Sequence, residues 1–151
     1  MKNNLNLCVA AIAICAIFVG CNNSDYDGNL LTADIDSDCW RAPFESVNGY
    51  LVTTGEQTSI KIEGADNNGK SLTLFVENYT GPSSYPLDMP KNKGLLLPIP
   101  TATSPYIAQN GSINIASDAN NILIGSFNFT GKDAEGKLIV VESGEFEVLL
   151  D

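Results

Sequence analysis

The side chains best able to do chemistry stand in the stretch ADIDSDCWRAPFE, residues 33–45. Asp34, Asp36 and Asp38 alternate, and Glu45 is the twelfth residue counted from Asp34. This is the ligand spacing of the calcium loop that joins two helices, in which carboxylate oxygens hold the cation. The spacing therefore raises calcium binding as one hypothesis.

The residues between the carboxylates argue against a helix-flanked calcium loop. Such a loop needs glycine at its sixth position for a sharp turn, and Cys39 stands there. Pro43 lies where the second helix should begin, and neither flank has helical periodicity. We expect no metal site, and keep a divalent-cation site without helices on Asp34, Asp36 and Asp38 as a weaker hypothesis.

A β-hairpin accounts for the same residues more simply. Leu31, Ala33 and Ile35 alternate as the inward side chains of a strand. The Asp-Ser-Asp that follows favours a turn, because Asp and Ser side chains bond to nearby main-chain groups. Trp40 and Ala42 then begin the return strand, with Trp40 as a predicted anchor of the core.

Histidine is absent from all 151 residues. Its absence excludes a Ser-His-Asp triad, a Cys-His pair and any histidine-ligated metal. No glycine-rich phosphate loop opens a helix, so no cofactor is expected. Carboxylates keep a hydrolase open as an alternative, since Glu145 and Glu147 share a strand face and glycoside hydrolysis needs two carboxyl groups. Acidic proteins carry such pairs by chance, and we expect no enzyme.

Aromatic side chains are the candidates for ligand binding. Tyr79, Tyr85 and Tyr106 lie in or beside the proline-rich segment 80–105, and loops often carry function. Together they could stack on a sugar, as aromatic rings do at binding sites. The alternative is that the rings pack these loops onto the domain.

The first 20 residues predict a lipoprotein signal peptide. Residues 7–20 form an apolar run after Lys2 that is too short for a bilayer core, which needs about 20 residues. Gly20 precedes Cys21, whose thiol would carry the lipid. A polar tether at 21–29 and a single β domain at 30–151 would follow. We expect an outer-membrane lipid anchor, at the cell surface or on the periplasmic face.

Removal of the signal would leave seven basic and 18 acidic side chains, a net charge of −11. This charge disfavours nucleic acid and anionic lipid as partners, since both are polyanions. Cys39 would be the one thiol neither removed nor acylated, so no intramolecular disulfide is expected. We predict that Cys39 is a small buried residue and that a hydrophobic core holds the domain together.

Alternation of apolar and polar residues with a period of two dominates the chain after the tether, as half-buried strands require. The pattern holds over residues 58–64, 71–78, 112–116 and 146–150. No segment has the period of a long helix. We predict an all-β domain of about 8–10 short strands, either an antiparallel β-sandwich or a partly open barrel.

Three places depart from this regular pattern. Over residues 121–130 the apolar positions change parity, which predicts a bulge at Gly125. Residues 143–144 are expected to divide the last two strands. Segment 80–105 holds six of the seven prolines, which predicts loops around short edge strands such as 95–97.

Motifs at both ends of the domain carry a family resemblance. Residues 39–42 read CWRA, a Trp-x-Ala motif after the predicted lipidation site. Residues 125–137, GSFNFTGKDAEGK, fit G-x-F-x-F-T-x-x-D-x-x-G-K, and residues 144–148, GEFEV, fit G-x-F-x-V. The chain resembles a family of Bacteroidota lipoproteins of unknown function. The resemblance implies a β-sandwich or barrel on the cell envelope and carries over no catalytic residue.

These observations lead to one functional expectation with two alternatives. We expect a lipid-anchored, non-catalytic binding module for an envelope protein or a glycan. The first alternative is a structural or assembly accessory subunit of an envelope complex. The second is the carboxylate-dependent hydrolase.

Overall fold

The computed structural model describes residues 29–88, 90–98 and 104–151, and the predicted signal peptide lies outside this part. Ten strands form one antiparallel sheet. In chain order they are β1 (Leu30–Ile35), β2 (Asp38–Arg41), β3 (Asn48–Thr54), β4 (Gln57–Ala65), β5 (Ser71–Val76), β6 (Ser84–Pro86), β7 (Lys93–Leu97), β8 (Tyr106–Ser117), β9 (Ile122–Lys132) and β10 (Leu138–Leu149). Within the described ranges the helical elements are two short 3-10 turns, Phe44–Ser46 and Ala119–Asn121. The predicted all-β class is confirmed.

The sheet curls into a half-barrel. Its strands follow the order β2-β1-β10-β9-β8-β7-β5-β4-β3, and β6 pairs with β8 outside this path. The start of β3 returns to the end of β10, where Gly49 bridges Leu150. The N–H of Leu51 also donates to the carbonyl of Asp151 at 3.3 Å. Of the two predicted architectures, the partly open barrel is therefore the one observed.

The four alternating segments of the sequence correspond to strands β4, β5, β8 and β10. Their inward side chains include Ile62, Leu74, Ile113 and Phe146, each no more than 1% exposed. These predictions are confirmed, because one face of each strand turns into the curl and the other faces solvent.

The core lies inside the curl, where the two ends of the sheet face each other. Leu31 of β1 and Ala42, just after β2, pack over Gly64 of β4, and a Cβ at Gly64 would lie 2.9 Å from that of Ala42. Trp40 is 3% exposed, and its indole Nε1 donates to the carbonyl of Lys70 at 3.2 Å. The N-terminal hairpin thus covers one side of the core, with Trp40 in the predicted anchoring position.

Two phenylalanine–glycine pairs fix the packing of β9 against β10. Gly125 lies opposite Phe146, and Phe127 lies opposite Gly144. A Cβ at Gly125 would come within 2.4 Å of the Phe146 ring, and a Cβ at Gly144 within 2.6 Å of the Phe127 ring. The two rings stack with their centroids 6.4 Å apart. Because each ring fills the space beside a glycine, the G-x-F pattern of both motifs is a packing device.

The bulge predicted at Gly125 is wrong. Strand β9 keeps its register there, and the irregularities lie in its neighbours, at 141–144 of β10 and 115–117 of β8. The apparent change of parity came from Ile124, which is apolar but 39% exposed on the outer face. The neighbouring inward position is Gly125, which has no side chain and so does not mark the inward face in the hydrophobic pattern.

Two other expectations about irregular segments are also corrected. Residues 143–144 do not divide two strands, because β10 continues through them with a bulge and Ser143 at a φ of 49°. Residues 95–97 belong to β7, which is interior to the sheet and pairs with both β5 and β8. Proline flanks this strand without entering it, so β7 keeps both of its ladders.

Candidate functional site

The acidic stretch of the N-terminal hairpin forms a tight turn. Asp36 and Ser37 have φ values of 50° and 71°, between the paired residues Ile35 and Asp38. The Asp36 carboxylate accepts the N–H of Val140 at 2.9 Å, and the Asp36 N–H donates to the Val140 carbonyl at 2.9 Å. The predicted hairpin is confirmed, and Asp36 ties its turn to β10.

The three aspartates do not gather into a metal site. Among the described residues, no group of three or more His, Cys, Asp or Glu side chains could hold a metal ion. No helix flanks the turn within the described ranges, so the calcium-loop hypothesis is wrong. A looser divalent site on Asp34, Asp36 and Asp38 stays a prediction.

The three candidate tyrosines pack mainly inward. Tyr85 is 9% exposed and Tyr106 is 6% exposed, so both belong to the core. Tyr79 is half-buried, with its ring centroid 5.8 Å from that of Tyr85, and its hydroxyl donates to the Asp118 carboxylate at 2.8 Å. Burial first, then this hydrogen bond and the charge of Asp118, raise the pKa of Tyr79. The geometry matches the packing alternative, and a role of the three in ligand binding stays a prediction.

Cys39 differs from its prediction in two respects, since it is exposed on β2 and disulfide-bonded. The other cysteines of the chain are Cys8, Cys15 and Cys21, which lie outside the described residues. Across the described ranges, no helix is long and apolar enough to span a membrane.

A groove of about 460 Å³ crosses the outer face of β1, β10, β9 and β8. Ser126 lies at its centre, paired with Glu145 on one side and Asn114 on the other. These three side chains form a row about 10 Å long, because neighbouring strands lie roughly 4.8 Å apart. Glu147 and Ile124 form the adjacent row.

A small residue lowers the floor of the groove, and polar residues give the groove its chemistry. Ala116 is the small residue on the outer face, and Ser83 also lines the groove, where its carbonyl accepts the N–H of Ile115 at 2.9 Å. Glu145 and Glu147 project from the same face of β10, about 7 Å apart along the strand. The groove therefore offers carboxylate, hydroxyl and amide groups, and it repels anions.

The sequence identified part of this groove and missed the rest. Glu145 and Glu147 could be placed together because alternate residues of one strand share a face. Asn114 and Ser126 were missed, since their approach depends on the pairing of three strands. The sequence pattern indicates that both side chains point outward, but it does not indicate the strand register that brings them together.

One comparison with known proteins identifies a family. A family model described as "Domain of unknown function (DUF6252)" matches residues 28–149. No curated protein and no solved structure matches the chain. The match covers all ten strands described above, and the chain belongs to this family of domains of unknown function.

Proposed function

We propose that this protein is a lipid-anchored, non-catalytic binding module of the bacterial outer membrane that holds a neutral, hydroxyl-rich glycan in the groove. The supporting observation is the row of Asn114, Ser126 and Glu145 across three hydrogen-bonded strands. Side chains on a paired sheet are held in place before a ligand arrives, which lowers the entropic cost of binding.

The size and side chains of the groove suit a short oligosaccharide. Its volume of about 460 Å³ lies within the range of roughly 300–1,000 Å³ that is usual for small-ligand sites. Sugar hydroxyls both donate and accept hydrogen bonds, so they complement a carboxylate beside an amide and a hydroxyl. Ile124, 39% exposed, and Leu30 supply apolar surface for the C–H groups of a sugar ring.

The charge of the groove narrows the class of glycan. Glu145 and Glu147 face the same space, and the whole chain carries a net charge of −10. An acidic polysaccharide would place its carboxylates or phosphates against these groups and lose affinity. The proposal therefore favours neutral sugars or amino sugars.

Titration of the full chain in detergent with oligosaccharides tests the groove. Neutral oligosaccharides should bind, and uronic-acid oligosaccharides should not. Ser126→Tyr should reduce affinity at least about tenfold, because the ring fills the centre of the groove. Asn128→Tyr is the matched control, since Asn128 is exposed two residues further along β9 and does not line the groove. Absence of binding to neutral oligosaccharides, or equal affinity of Ser126→Tyr and wild type, would reject the proposal.

The same samples separate binding from hydrolysis. The two glutamates have a spacing compatible with an inverting glycosidase, in which the carboxyl groups are about 6.5–9.5 Å apart. The general acid of such an enzyme is usually sheltered from water, whereas Glu145 is exposed. We expect no new reducing ends after long incubation. Their appearance in wild type, and their loss in Glu145→Gln, would establish the hydrolase instead.

Fractionation of cells tests the anchor independently of the groove. Wild-type protein should sediment with outer membranes, and Cys21→Ser should appear in the soluble fraction, because each buried acyl CH₂ contributes about 0.8 kcal/mol to membrane binding. Intact-mass analysis should show an acylated chain that starts at Cys21. A chain that retains residues 1–20 would reject the lipid anchor.

A further inference from the structure

The outer faces of β9 and β10 change from polar to apolar in the same direction. Three cross-strand pairs follow one another along these faces: Ser126 with Glu145, Ile124 with Glu147, and Ile122 with Leu149. Successive pairs on one face lie about 7 Å apart, so the whole change takes about 14 Å. The groove therefore continues into an apolar end, formed by Ile124, Ile122 and Leu149.

The apolar end is accessible from solvent. Leu149 is 53% exposed and Ile124 is 39% exposed, whereas the neighbouring Leu123 and Val148 point into the core and are fully buried. Apolar side chains that are contiguous and lie next to a polar groove favour a ligand that covers both kinds of surface. A sugar alone would leave the apolar end in water.

The domain begins beside this apolar end. The side-chain carbonyl of Asn29 accepts the N–H of Leu149 at 2.8 Å, and the Asn29 amide donates to the Val47 carbonyl at 2.9 Å. The predicted tether, residues 21–29, reaches at most about 30 Å even when fully extended. An anchor at Cys21 would therefore hold the apolar end near the lipid, and Leu138 at the opposite end of β10 further away.

We infer that the ligand is a neutral glycolipid of the same membrane, with its sugar in the groove and the first methylene groups of its chain over the apolar end. This inference rests on the proposed function, because it needs both the glycan site and the lipid anchor. Glu145 and Glu147 repel an anionic head group, so acidic lipids fit poorly. The remainder of the chain stays in the bilayer, which lies on the side where the tether leaves the domain.

Methyl and hexyl glycosides of the same sugar separate the two parts of such a ligand. The full chain in detergent is titrated with both glycosides of maltose, cellobiose and diacetylchitobiose. For the sugar that binds best, the hexyl glycoside should bind at least about tenfold more tightly than the methyl glycoside, because burial of about two methylene groups gives that gain. Leu149→Asn should abolish the gain and leave the affinity for the methyl glycoside unchanged, since Leu149 does not line the groove.

Leu138→Asn is the matched control, because Leu138 is 59% exposed on the same strand and lies outside both the groove and the apolar end. It should keep the gain of wild type. Free concentrations are corrected for partition of the hexyl chain into micelles, which is the same for every variant. Ser126→Tyr should weaken the binding of both glycosides, because the sugar of each lies in the groove.

The outcomes distinguish this inference from the proposed function. Equal affinities of wild type for the methyl and hexyl glycosides would overturn the glycolipid while leaving the groove as a glycan site. A gain that survives in Leu149→Asn would overturn it as well, because the chain would then lie elsewhere. Absence of methyl glycoside binding in wild type would instead reject the proposed function, and the inference with it.

Discussion

The β9–β10 pair and the β3–β4 pair are both antiparallel hairpins, yet they contribute differently to the molecule. In β9–β10 the inward face is closed by Phe127 and Phe146, each no more than 2% exposed and each packed against a glycine on the facing strand. In β3–β4 the ladder continues past Leu51 while both faces open to water. A hydrogen-bonded ladder alone therefore does not bring the tip of a hairpin into the core, although Ile60 and Ile62 further along β4 are buried.

The difference has energetic and functional consequences. Burial of a phenylalanine side chain stabilises a fold by about 1.5–3 kcal/mol, whereas an exposed side chain contributes little. We expect β9–β10 to open only with global unfolding and the exposed tip of the β3–β4 hairpin, residues 51–57, to open locally, as regions with few buried contacts do. The rigid pair carries the groove on its outer face, whereas the open pair is exposed on both faces beyond Leu51.

The largest expected effect on stability comes from removing one large side chain from each of the two regions. Phe146→Ala should lower the free energy of unfolding by about 3–5 kcal/mol, because it deletes a buried ring and exposes the space over Gly125. Leu51→Ala should lower it by less than about 0.5 kcal/mol, as exposed substitutions do. Urea denaturation of both variants measures the difference. Equal losses would show that the tip of the β3–β4 hairpin contributes to the core.

A second test adds a methyl group where β9 has no room for one. Gly125→Ala should cost about 1–3 kcal/mol, because the new Cβ would lie 2.2 Å from the Asn114 carbonyl oxygen and 2.4 Å from the Phe146 ring. Asn128→Ala, on the same strand but exposed, should change stability by less than about 0.5 kcal/mol. Thermal unfolding measures both. A neutral Gly125→Ala would mean that the glycine–phenylalanine contact is loose.

These two strands also show how far the sequence alone could be interpreted. Alternation over residues 146–150 predicted Phe146 as inward, because one face of that strand is apolar. The pattern over residues 121–130 wrongly predicted a bulge at Gly125. A glycine on the inward face adds no apolar side chain to the pattern, whereas Ile124 on the outward face adds one. For a related reason the sequence identified only the glutamates of the groove. Asn114 and Ser126 come together through pairing between strands, and no local sequence pattern specifies that pairing.

The N-terminal turn offers a smaller test, which also addresses cation binding. Asp36→Ala should cost about 0.5–1.5 kcal/mol, because the Val140 N–H loses its carboxylate acceptor. Asp36→Asn keeps an acceptor oxygen and tolerates positive φ, so it should cost less. Addition of calcium should leave the melting temperature of wild type within about 1 °C, since a site that binds only the folded state would raise it. A rise of many degrees that Asp36→Asn abolishes would restore the aspartates as a cation site.

The smallest expected effect concerns pH and the contact between Tyr79 and Asp118. An exposed tyrosine of the unfolded chain ionises near pH 10, and Tyr79 in the folded protein has a raised pKa because of burial and Asp118. Above about pH 10 the folded state therefore holds a proton that the unfolded state has lost, so the free energy of unfolding falls as pH rises. Below that pH both states are protonated and the contribution is constant. Tyr79→Phe removes this titration, so its stability relative to wild type should improve between about pH 9 and about pH 11 in urea denaturation. Parallel curves for the two proteins over that interval would show that the pKa of Tyr79 is the same in the folded and unfolded states.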